Sequence, residues 1–209
     1  MNRKQLKNSI LQWAIQGKLV PQDPNDEPAS VLLERIRAEK ARLVKEKKIK
    51  KDKNESIIYR GEDNSYYEKF LATREVKCID EEIPFEIPAT WEWCRLLSIV
   101  SLLGDGIHGT PEYSEGGSVY FINGNNLFDG QILIKPDTKT VSKEEAVKHS
   151  RLLNESTVLV SINGTIGNIA FYSGENVILG KSACYFNLLN GIERKYIKIV
   201  LQTDYFLEY

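Results

Sequence analysis

Apolar residues recur at Leu6, Ile10, Trp13 and Ala14, the i, i+4, i+7, i+8 spacing of one helical face. The pattern predicts an opening amphipathic helix that stops at Gly17-Lys18. Glycine accepts the left-handed conformation, and a cation suits the carbonyl end. Pro21, Pro24 and Pro28 then hold a connector extended, because each fixes φ and removes a donor. A second helix begins around Asp26 to Pro28 and runs through Leu33, Ile36 and Leu43. Its polar side places Glu34–Arg37, Arg35–Glu39 and Glu46–Lys50 one turn apart. Residues 1–50 read as a helical arm.

The periodicity then lapses. Residues 51–82 are polar and mixed in charge, and read as a loosely packed connector in which Ile57, Ile58, Tyr59, Tyr66, Tyr67 and Phe70 could dock on a neighbour. From residue 83 the texture becomes short β-like runs. Ile83-Pro84 and Ile87-Pro88 force extended backbone, and Trp91 and Trp93 alternate as on one face of a strand. The spans 118–122, 131–134, 157–162, 169–172 and 183–188 predict strands, separated by Asn123-Gly124, Asp129-Gly130 and Asn163-Gly164 turns. Ser142 suits the N-cap of a short helix over 143–153, and 193–209 reads as helical. The expected fold is α+β: a helical arm on 1–50, a connector on 51–82 and a mostly-β domain with short helices on 83–209.

Charge changes this picture only locally. The formal net charge is −1, yet residues 29–53 hold ten Lys or Arg against four acids. That run serves either as a solvated helix end or as a phosphate contact. Cys78, Cys94 and Cys184 are odd in number and far apart, so they read as small buried hydrophobes of a reducing compartment, with neither a disulfide framework nor zinc. The basic N-terminus lacks an apolar signal core, and no run of 18 apolar residues exists, so a soluble cytoplasmic protein without membrane contact is expected.

Catalytic signatures are missing. With His108 and His149 as the only histidines, the chain has no HExxH, GxSxG, P-loop lysine or G-x-G-x-x-G motif. Asn163-Gly-Thr-Ile-Gly167 reads as a tight turn rather than a cofactor cradle. What remains are loops rich in amides and hydroxyls. Gly104 to Tyr113 can bring backbone close to a groove, with Thr110 and Tyr113 reaching phosphate and His108 a base edge. Asn123, Asn125 and Asn126 carry the amide that matches adenine, or else they simply make a turn. Lys135, Lys139, Lys143, Lys148 and Arg151 make a basic strip, and Lys181 either snorkels or anchors a phosphate.

The string ILQWAIQGKLVPQDPNDEPASVLLERIRAEKARL closely resembles the conserved segment beside a target recognition domain in DNA-specificity subunits of type I restriction-modification systems. The resemblance continues through IPFEIPATWEWCRL, GIHGTPEY and INGNNLFDGQI, and covers essentially the whole chain. It implies a non-catalytic subunit that reads double-stranded DNA and directs adenine methylation and restriction by partner subunits. S-adenosylmethionine and ATP would be used by those partners, the methyltransferase and restriction-translocation subunits, so the chain itself carries no cofactor or metal. It places the DNA-facing loops at His108, Thr110, Tyr113, Asn123, Asn125, Asn126, Lys139, Asn163, Thr165 and Lys181. The face Leu6, Ile10 and Trp13 becomes the partner-binding seam, unless it packs on its own β domain. Family members normally continue beyond the last helical pattern, which implies a truncated product or a short subunit pairing with a second half-subunit or a second copy. The alternatives are a truncated module that binds methyltransferase subunits without recognising DNA, and a small hydrolase using the Asp105–His108 loop.

Overall fold

The computed structural model describes residues 2–164 and 166–207. The chain is α+β, as expected, and divides into two compact units. One comprises Met1–Ser101, Leu189–Ile192 and Gln202–Tyr209; the other comprises Leu102–Leu188 and Glu193–Leu201.

In the first unit, α1 (Arg3–Ile15) starts at a capping box. Gln5 N–H donates to Asn2 Oδ1 at 2.9 Å, and Asn2 N–H donates to Gln5 Oε1 at 2.8 Å. It ends in a Schellman turn, with Gly17 N–H on Ala14 O and Lys18 N–H on Trp13 O at 3.1 and 2.9 Å. Gly17 has φ +66°, and a Cβ there would lie 2.6 Å from Pro88 Cγ. The buried side of α1 carries Ile15, with Leu11 half-buried. The face picked out by periodicity points elsewhere: Leu6, Ile10 and Trp13 are 46%, 43% and 54% exposed.

α2 (Ala29–Lys45) buries Ile36 and, unusually, Lys40, whose Nζ donates to Leu97 O at 2.6 Å. That lysine is therefore committed inside the unit rather than offered to a phosphate. Arg35 forks onto Glu27 at 2.9 and 3.0 Å rather than onto Glu39, and Arg42 and Lys48 converge on Glu46. The helix ends before Lys50, so the anticipated Glu46–Lys50 spacing is not helical.

Residues 51–82 are a correction to the connector reading. They form an antiparallel sheet of β1 (Ser56–Arg60), β2 (Tyr66–Phe70) and β3 (Val76–Cys78), in that order. Its buried positions are Ser56 and Glu68, so the period-2 hydrophobic signal is missing from the sequence. Glu68 accepts from Ser56 Oγ and takes two donors from Arg95, which also reaches Glu82 Oε2 at 2.7 Å. The Arg95 guanidinium holds the Glu68 carboxyl below its usual range, with burial opposing and Ser56 assisting. Trp91 and Trp93 are not in a strand. Trp91 Nε1 donates to Gln22 Oε1 at 2.9 Å, and the Trp93 ring lies 5.1 Å from Phe85. Cys78 is exposed, contrary to expectation, whereas burial pushes the Cys94 thiol up to about 11.

The second unit holds β4 (Val100–Asp105, from Leu102), β5 (Val119–Ile122), β6 (Leu127–Phe128), β7 (Gln131–Ile132), β8 (Thr140–Val141), α3 (Lys143–Lys148), β9 (Thr157–Ser161), β10 (Ile169–Phe171), β11 (Val177–Leu179), β12 (Ala183–Leu188) and α4 (Arg194–Leu201). The sheets run β10-β9-β12-β4, β11-β5-β8 and β6-β7. β9 is buried at every position, as a central strand should be. Ile122, Leu127, Leu159, Leu179 and Tyr185 centre the core, and Ile107, Val141 and Ile178 form a second cluster. Ser142 Oγ accepts from Glu145 N–H as an N-cap, but α3 ends at Lys148, five residues before the expected Leu153. Among the described residues no helix is long and apolar enough to cross a membrane.

Candidate nucleic-acid interface

Strand directions decide what lies together. β5 and β11 pair in parallel, with Leu179 opposite Ile122, so their following loops emerge side by side. Ile107 N–H donates to Leu179 O at 2.7 Å and Gly106 N–H to Ala183 O at 3.1 Å, which brings the end of β4 to the same point. β9 and β12 pair antiparallel with Ser161 opposite Ala183, so the loop after β9 meets the loop before β12. The loops 106–113, 123–126, 162–164 and 180–182 therefore gather at one end of the second unit.

The expected residues sort clearly against this frame. His108, Thr110, Asn125, Asn163 and Lys181 are exposed on the gathered loops, and Asn123 is half-buried among them. Lys139 is exposed and adjoins them, since its carbonyl accepts from Phe121 N–H at 2.8 Å. Tyr113 sits against the Phe121 ring with centroids 5.9 Å apart. Thr165 lies outside the described residues.

Asn126 does not belong to the set. It is 5% exposed, its Oδ1 accepts from Asn123 N–H, and its Nδ2 donates to Leu133 O and Thr138 Oγ1. An amide with both ends spent inside the fold holds the loop and cannot read a base.

Several supports were illegible in the sequence. Glu145 Oε1 accepts from Glu112 N–H at 3.0 Å, tying α3 to the loop that carries Thr110 and Tyr113. Lys148 first, and then the Glu112 amide, hold the Glu145 carboxyl down to about 2. Lys135 Nζ donates to Asn125 O at 2.8 Å, and Arg151 Nε to Asp105 O at 3.1 Å, so these members of the basic strip brace loops. His108 Nε2 lies 2.5 Å from Asp105 Oδ2, and that contact lowers the Asp105 pKa. The Glu145–Glu112, Lys135–Asn125 and Arg151–Asp105 supports join residues 33, 10 and 46 positions apart, and no local spacing marks them.

The arrangement offers amide, imidazole and hydroxyl groups on loops that also carry or adjoin the exposed Lys139 and Lys181. Such a surface can meet a phosphate backbone and base edges together. Among the described residues no group of His, Cys, Asp or Glu is placed to hold a metal ion.

The chain is 35% identical over 97% of its length to the type I restriction enzyme EcoAI specificity subunit of Escherichia coli. It is 29% identical over 98% of its length to the EcoEI specificity subunit of the same organism. Over nearly its whole length the chain is similar to a region of type I restriction enzyme specificity subunits. It spans 32% of the length of each of these relatives, so it matches one region of them. No family model matches the chain. The similarity to these specificity subunits takes in both units, the gathered loops and the exposed α1 face alike, because it leaves almost none of the chain unaligned.

Proposed function

We propose that this chain reads one half of a bipartite double-stranded DNA site and, in the cytoplasm, directs partner subunits to it. A type I methyltransferase subunit would modify an adenine there, and a restriction-translocation subunit would join the same complex. A second specificity half-subunit or a second copy of this chain would read the other half-site. The methyl-transfer and cleavage chemistry, with its S-adenosylmethionine and ATP, resides in the partners. The observation that carries the reading is the gathering of His108, Asn123, Asn125, Asn163 and Lys181 at one end of the second unit. The exposed Leu6, Ile10 and Trp13 face supports the partner role.

The test is reconstitution with the methyltransferase subunit and S-adenosylmethionine, followed by mapping of methylated adenine. Methylation confined to one sequence, and requiring this chain, is the expected result. Sequence-independent methylation, or metal-dependent cleavage by the chain alone, would overturn the reading.

Lys181 and Lys139 serve here as phosphate contacts. Lys181→Ala or Lys139→Ala in the complex should flatten the slope of log affinity against log salt by about one unit. The preferred sequence should not change, since phosphates carry no sequence information directly. Titrations at several salt concentrations measure both, and an unchanged slope removes that lysine from the interface.

A further inference from the structure

Asn123 is an amide of the loop cluster whose carbonyl end is held by another side chain. Ser182 Oγ accepts from Gly124 N–H at 2.9 Å, which leaves its own hydrogen to be donated. That hydrogen is directed at Asn123 Oδ1, 3.0 Å away. Asn123 is fixed on its backbone too: its N–H donates to Asn126 Oδ1 at 3.0 Å, and its carbonyl accepts from Asn126 N–H at 2.9 Å. Gly180 closes the remaining side. A Cβ there would stand 2.2 Å from Asn123 Oδ1 and 2.8 Å from its Cγ, so the amide packs on bare glycine backbone. Ser182 meanwhile accepts from Ile162 N–H through its carbonyl at 3.0 Å, which joins the 123–126 and 162–164 loops through one residue.

We propose that Ser182 is a positioning residue that fixes the polarity of Asn123, so that Asn123 presents an N–H donor and no acceptor to the DNA. The inference rests on the DNA-reading role proposed above and names how one of its groups discriminates. An asparagine that reads adenine bidentately must donate to N7 and accept from the N6 amino group. Ser182 occupies one lone pair of Oδ1 and the Gly180 backbone crowds the other side, so the second half of that pairing is lost. The amide NH₂ that remains matches an acceptor: guanine N7 or O6, thymine O4 or adenine N7. Cytosine offers only its N4 donor on the major-groove edge and is rejected. The adenine-reading expectation for this asparagine is thus replaced by a donor-only one.

The experiment uses the chain in complex with its methyltransferase subunit on a library carrying each of the four bases at every position near the methylated adenine, read by sequencing. The wild-type complex should disfavour cytosine at one position. Ser182→Ala frees Oδ1 to accept from an exposed amino group, and should raise the relative rate with cytosine at that same position roughly tenfold, the discrimination of a single good base contact. Ser182→Thr keeps the hydroxyl and should restore the wild-type profile, and Asn123→Ala should flatten that position alone. If Asn123→Ala flattens one position while Ser182→Ala leaves the profile as in wild type, the inference fails and the DNA-reading role stands. If Ser182→Ala lowers methylation uniformly at every sequence, Ser182 has only a structural role and the inference is overturned. A wild-type complex without base preference at any position overturns the DNA-reading role, and this inference with it.

Discussion

Glu68→Ala is expected to destabilise the first unit by about 3 kcal/mol, the low end for breaking a buried ion pair. Only 5% of the Glu68 side chain is exposed, and Ser56 and Arg95 both donate to it. Its loss leaves two donors without their acceptor. Arg95 retains Glu82 and a 37% exposed side chain, which limits the cost. Urea unfolding followed by tryptophan fluorescence should show a lower midpoint, because Trp91 and Trp93 lie within the same unit. An unchanged midpoint would mean that the residue 51–82 sheet does not depend on this network.

The same contact sets an acid dependence. The Glu68 carboxyl titrates lower in the fold than its ordinary value of about 4.3. A depressed carboxyl contributes stability above the unfolded-state pKa and loses it as pH falls through the folded one. Wild-type stability should therefore drop below about pH 4.3 more steeply than that of Glu68→Ala, which has already lost the linkage.

How much was legible follows from where each signal resides. α1 and α2 were visible because their capping, glycine and proline signals are local. β5, β9, β10 and β12 were visible as apolar runs between turn residues. β1 to β3 were not, since a strand that buries Ser56 and Glu68 has no hydrophobic alternation. β11 was missed because a three-residue Val-Ile-Leu run is too short to declare a period, although it is the parallel partner that brings Gly180 beside Asn123. The candidate loops were likewise readable as polar, glycine-rich segments. Which asparagine faces outward was not, because Asn123, Asn125 and Asn126 differ only in long-range partners such as Ser182, Lys135 and Leu133.

The apolar face of α1 yields the second large effect. Trp13 is 54% exposed and, with Leu6 and Ile10, lines a helical face that the chain leaves largely to solvent. For the isolated chain Trp13→Asp is a surface change, expected to fall within about 0.5 kcal/mol, with a small added penalty for an acid near a helix C-terminus. In a complex that covers this face the aspartate would be desolvated without a partner, at a cost of a few kcal/mol. At about 1.4 kcal/mol per factor of ten, that weakens association by roughly a hundredfold or more. Size-exclusion or sedimentation measurements with the methyltransferase subunit should show loss of the complex, while circular dichroism of the variant alone matches wild type. Assembly at wild-type affinity would remove this face from the partner surface. Unfolding of the isolated variant would place Trp13 in the stability of the first unit instead.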